Sequence, residues 1–74
     1  MSERQYEIYS FIVKYIKENL YPPTFAEICQ GTGIKSKSTV SDYLLGLEKL
    51  GYVKVKLGTP RAIKLIGYTV VESF

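Results

Sequence analysis

The chain has 74 residues, 46% of them hydrophobic and 23% charged, with a net charge of +3. That length holds one small domain, and the apolar fraction belongs to a folded globule rather than a disordered tail. With one cysteine, Cys29, and no histidine, neither an internal disulfide nor a zinc site is expected, and no apolar run approaches the ~20 residues of a membrane span, so we expect a soluble cytoplasmic protein without metal or cofactor.

The first segment, SERQYEIYSFIVKYIKENL, sets Ser2 three residues before Gln5, a capping-box spacing. Ile8, Tyr9, Ile12, Tyr15, Ile16 and Leu20 then recur at intervals of three and four, which predicts an amphipathic helix with one apolar face. Pro22 and Pro23 stop it, since proline lacks the amide and disfavours helix in the residue before it. Thr24 and Glu27 repeat the capping-box spacing and open a short second helix with Phe25, Ala26, Ile28 and Cys29 as its apolar members. Gly31 and Gly33 are both candidates for the left-handed turn that ends it. Ser36 or Ser38 is then expected to cap a third helix over about residues 37–50, with Val40, Tyr43, Leu44, Leu47 and Leu50 as its buried stripe and Gly51 at its close.

From Tyr52 to Leu57 the chain alternates, with Val53, Val55 and Leu57 on one face and Lys54 and Lys56 on the other, which predicts a half-buried strand. Gly58 to Arg61 supply a turn, and Ala62 to Ile66 read as the partner strand. The predicted fold class is therefore α+β: a three-helix helix-turn-helix over residues 1–66 with a C-terminal β-hairpin wing. Residues 67–74 form a strand-like tail in which Tyr68, Val70 and Phe74 are left to be covered by something.

Charge is distributed unevenly. Residues 1–34 carry −1 and residues 35–64 carry +5. At ~100° per residue, Ser38, Ser41, Asp42, Leu45 and Lys49 fall opposite the apolar stripe of the third helix, with Thr39 on its flank. Serine, threonine and aspartate at the start of such a helix can bond to base edges in a DNA major groove. The free amides of the same turn, beside Lys35 and Lys37, suit a phosphate. Lys49, the wing residues Lys54 and Lys56, and Arg61 complete the expected contacts to the DNA backbone. Leu45 stands out on this polar face and has to meet a base methyl, a partner protein or water.

The stretch YPPTFAEICQGTGIKSKSTVSDYLLGLEKLGYVKVKLGTPRAIKLI resembles the winged helix-turn-helix DNA-binding domain of the LexA repressor family, and the likeness runs from Arg4 to Leu65. Pro22, Pro23 and Thr24 followed by Ala26, Glu27 and Ile28 carry it most specifically, with Gly33, Ser36, Leu44, Leu47, Gly51, Gly58, Arg61 and Ile63 behind them. The resemblance implies a third helix in the major groove, a wing on the phosphate backbone, and two copies on a palindromic operator. By position it assigns base contacts to Ser36, Ser38, Thr39, Ser41 and Asp42. Ser38 stands where these repressors have asparagine, and Ser41 and Asp42 where they have paired glutamates, so a different target sequence is implied. LexA repressors continue into a self-cleaving domain; with the chain ending at Phe74, a stand-alone regulator without self-cleavage is expected.

The resulting expectation is a sequence-specific regulator of transcription that binds double-stranded DNA, with repression as its mode. The tail residues Tyr68, Val70 and Phe74 are candidates for a homodimer contact across a two-fold axis, or for a third strand on the monomer's own hairpin. The competing reading is a protein-interaction winged helix that docks through Leu45 and the tail. An enzyme is not expected, because no pairing of nucleophile and base suggests itself in the sequence.

Overall fold

The computed structural model describes residues 1–56 and 58–67. Helices α1 (Glu3–Asn19), α2 (Phe25–Thr32) and α3 (Lys37–Lys49) precede strands β1 (Val53–Val55) and β2 (Ile63–Leu65). The strands form one antiparallel pair in the register Val53↔Leu65, Lys54↔Lys64 and Val55↔Ile63. This is the α+β winged helix-turn-helix architecture anticipated above. No described helix is long and apolar enough to cross a membrane.

Both capping boxes form. The Gln5 amide donates to Ser2 Oγ at 3.1 Å while the Ser2 amide donates to Gln5 Oε1 at 2.8 Å. Thr24 and Glu27 do the same at the head of α2, at 2.7 and 3.1 Å. Each box satisfies donors that a helix start otherwise leaves bare, which fixes where α1 and α2 begin.

The core is a single cluster: Ile8, Ile12 and Ile16 from α1, Ile28 from α2, Val40, Leu44 and Leu47 from α3, Val53, Ile63 and Leu65 from the hairpin, and Ile34 from the turn between α2 and α3. Of the other residues expected in the helical stripes of α1 and α3, Tyr9, Tyr15 and Tyr43 are half-buried and two leucines are exposed. Leu20 caps α1 with a left-handed φ of 66° and is 72% exposed, because the chain has already left the helical path that would have kept it on the Ile16 face. Leu50 caps α3 and is 53% exposed. Gly51, at φ 86°, turns the chain there and Val53 enters the core in its place.

Gly33, at φ 78°, is the left-handed residue that ends α2, and its amide donates to the Cys29 carbonyl at 2.9 Å. Gly31 is not a turn residue: it lies inside α2, directly beneath the Phe11 ring. The strands are shorter than the alternation predicts. The Lys56 amide to the Ala62 carbonyl (2.8 Å) and the Ile66 amide to the Tyr52 carbonyl (3.0 Å) nevertheless continue the pairing at both ends. The inward place expected for Leu57, and the tail expectations at Tyr68, Val70 and Phe74, lie outside the described residues.

Candidate nucleic-acid interface

Helix α3 begins without the side-chain cap expected of it. Ser36 occupies the cap position in extended conformation, but its hydroxyl makes no bond to a helix amide. It pairs with the Ser38 hydroxyl instead, at 2.7 Å. The two hydroxyls thus hold each other on the surface, and among the described residues no side-chain cap bonds to the first amides of α3. Lys35, Ser36, Lys37, Ser38 and Thr39 are all exposed around this start. Asp42 is exposed one turn further on and Ser41 half-buried beside it. Lys49 ends α3 some 18 Å from Lys37 along the axis, at ~1.5 Å per residue.

The wing tip reaches the same place. A cleft of about 440 Å³ has Thr24, Phe25 and Lys37 on the helix side and Gly58, Thr59 and Pro60 on the wing side. The start of α3 and the turn of the hairpin are therefore neighbours across one depression. Gly58 takes φ 92°, the left-handed conformation that lets the hairpin reverse, and Thr59 Oγ1 donates to the Lys56 carbonyl at 3.2 Å.

Along the hairpin the lysines are exposed and the valines, isoleucine and leucine turn inward. Lys54 lies directly opposite Lys64 in the ladder. Two like charges across a strand pair repel, and a polyanion alongside relieves that repulsion. Lys64 was not among the contacts expected from sequence; the outward alternation made it visible, but its place beside Lys54 depends on the register. Glu48, the nearest acidic residue of α3 to the hairpin, is turned to the protein, with Oε2 accepting from the Val55 amide at 3.1 Å.

Arg61 departs from the expected backbone contacts. Its Nη1 donates to the Pro22 carbonyl at 2.7 Å and to Glu27 Oε1 at 2.8 Å, and Nη2 approaches Glu27 Oε2 at 3.4 Å. The guanidinium also lies 4.3 Å from the centre of the Tyr21 ring, a cation–π distance. Its charge is committed to Glu27 and the α1–α2 turn, so it anchors the base of the wing, whereas the wing lysines have no ion pair among the described residues. The hydrogen bond from Arg61, and after it the Thr24 amide, hold the Glu27 carboxyl down to about 2 from an ordinary 4.5.

A carboxyl depressed in the folded state binds its proton more readily once unfolded. Glu27 therefore adds stability above about pH 4.5 that is lost as the pH falls toward about 2. Acid titration of the urea midpoint should show a smaller decline over that window in Arg61→Gln than in the wild type. Equal declines would mean that the guanidinium does not hold the Glu27 charge.

A sequence profile described as the LexA DNA binding domain matches residues 1–62. The LexA repressor of Caldicellulosiruptor saccharolyticus is 48% identical over 66 residues, which cover 89% of this chain and 33% of the repressor. That of Carboxydothermus hydrogenoformans is 47% identical over 66 residues, 89% of this chain and 32% of the repressor. The LexA repressor of Clostridium kluyveri is 45% identical over 65 residues, 88% and 32%. The chain spans about a third of the length of these curated relatives.

Proposed function

The chain belongs to the LexA DNA-binding domain family, and on that footing we propose that it is a sequence-specific regulator that binds double-stranded DNA and represses transcription, with α3 in the major groove and the wing on the phosphate backbone. The observation that carries this is that Lys37, at the uncapped start of α3, shares one cleft with the turn of the lysine-bearing hairpin, while the hydroxyls of Ser36, Ser38 and Thr39 are exposed beside it.

Ser36, Ser38, Thr39, Ser41 and Asp42 supply the groups that face base edges. Hydroxyls serve either donors or acceptors, whereas the Asp42 carboxylate accepts only, which selects a cytosine amino group and disfavours a nearby phosphate. Lys35 and Lys37 flank the first amides of α3, and Lys49, Lys54, Lys56 and Lys64 hold the backbone further out. We assign Arg61 to positioning the wing rather than to phosphate. One such module reads few base pairs, so two copies on a palindrome supply the specificity. Tyr68, Val70 and Phe74 remain the candidates for contact between copies.

Selection of bound duplexes from a random pool at moderate and at higher salt tests this reading. A recovered palindrome with affinity falling steeply in salt supports it. In the recovered site, Ser41→Ala should lower discrimination at one base by about 1 kcal/mol, and Asp42→Ala should relax preference at another. Lys37→Ala and Lys54→Ala should weaken all sequences alike and lower the salt slope by about one each. Absence of binding at either salt turns the assignment toward a protein-docking winged helix.

A further inference from the structure

The exposed positions within α3 are Lys37, Ser38, Thr39, Asp42, Leu45 and Lys49. Five of these side chains carry a polar group; Leu45 does not. It is 42% exposed, while its neighbours Leu44 and Leu47 are wholly buried on the other side of the helix. Leu45 is four residues beyond Ser41 and three beyond Asp42, hence on their face and one turn further along.

A major-groove floor offers donors and acceptors at its base edges and one apolar group, the C5-methyl of thymine. A leucine pressed on a polar edge strips that edge of water and returns no hydrogen bond. A leucine pressed on the methyl leaves nothing unpaired and removes apolar surface from water. Building on the placement of α3 in the groove, we propose that Leu45 is a specificity-determining residue that reads a thymine C5-methyl in each half-site. Four residues at ~1.5 Å advance the helix ~6 Å, so this thymine lies about two base steps from the base that faces Ser41. Cytosine is rejected there because it lacks the methyl and brings an unpaired amino group to the leucine. Successive turns of α3 thus combine a carboxylate that selects an amino donor with a leucine that selects a methyl.

The test uses the 74-residue chain and the duplex recovered by selection, with each thymine replaced in turn by deoxyuridine, which removes the methyl and keeps the hydrogen-bonding edge. The wild type should lose about fourfold in affinity at one thymine per half-site, the worth of one buried methyl. Leu45→Ala should bind the thymine duplex more weakly and lose its sensitivity to uracil at that position alone, with preferences at all other positions unchanged. Insensitivity of the wild type to every replacement, or a Leu45→Ala protein that keeps the same sensitivity, overturns the assignment and leaves DNA recognition by α3 standing. Failure to select any duplex overturns both.

Discussion

Leu44→Ala should lower the stability of the domain by about 2–5 kcal/mol. Leu44 is fully buried at the middle of the α3 stripe, between Val40 and Leu47, and belongs to the cluster that α1 and the hairpin also enter. Removing its outer carbons forfeits their burial and leaves a cavity among β-branched residues, which fill space poorly by rotation. A domain of this size is held by roughly 4–11 kcal/mol in total. The substitution therefore removes a large part of that margin. In urea denaturation followed by circular dichroism, the midpoint should fall with little change in slope. DNA binding at 37 °C should weaken in step with the folded fraction, although Leu44 faces away from any ligand. A loss below about 1 kcal/mol would show that the helices close over the cavity, and would contradict a rigidly packed core.

The second large effect is expected where helix propensity predicts the opposite sign. Gly31 lies within α2, where alanine is normally favoured over glycine by about 1 kcal/mol. A Cβ there would sit 2.0 Å from Phe11 Cε2 and 2.5 Å from Cζ. The obstacle is an aromatic ring packed against the core, not the end of a flexible chain. Gly31→Ala must therefore push α1 and α2 apart or rotate Phe11, and overpacking of this kind costs about 1–3 kcal/mol. Set against the propensity gain, this leaves a net loss of up to about 2 kcal/mol. Phe11→Leu should reverse the sign: in that background the alanine has room, and its propensity should make the double variant at least as stable as Phe11→Leu alone. A thermal or urea series over the four proteins of this cycle measures the coupling directly. Additive effects would mean that Phe11 is not what requires a glycine at this position.

These two residues also mark what a sequence discloses and what it withholds. The starts of α1 and α2 were legible because Ser2 with Gln5, and Thr24 with Glu27, are local pairs three residues apart. Gly33 and Gly51 were legible as chain reversals for the same reason. Gly31 was misassigned to the turn because its constraint comes from Phe11, twenty residues earlier and on another helix. Leu20 and Leu50 were placed in the core by extending a periodicity one position past the point where each helix stops. For the interface, the outward face of α3 followed from helical spacing, and the resemblance to LexA repressors reinforced it. Arg61 resembled another wing cation because its partners, Pro22 and Glu27, are distant in sequence and close only in the fold. Lys64 shows the converse: its outward direction followed from alternation, but its pairing with Lys54 needed the register.

Glu27 closes the capping box of α2 and at the same time receives the Arg61 guanidinium from the base of the wing. One carboxylate thus joins the helical half of the domain to its hairpin. Bonds between segments more than thirty residues apart form late, since the chain between them must first be ordered. Once formed, they leave the wing root with little freedom to lose. The entropy of orienting the hairpin against α3 is then borne by folding, and the surface offered to DNA is preorganised before any phosphate arrives. Weakening the link should show itself less as a lost contact than as a hairpin whose amides exchange with solvent ahead of the core, and as a slower, entropically costlier docking in the proposed DNA complex.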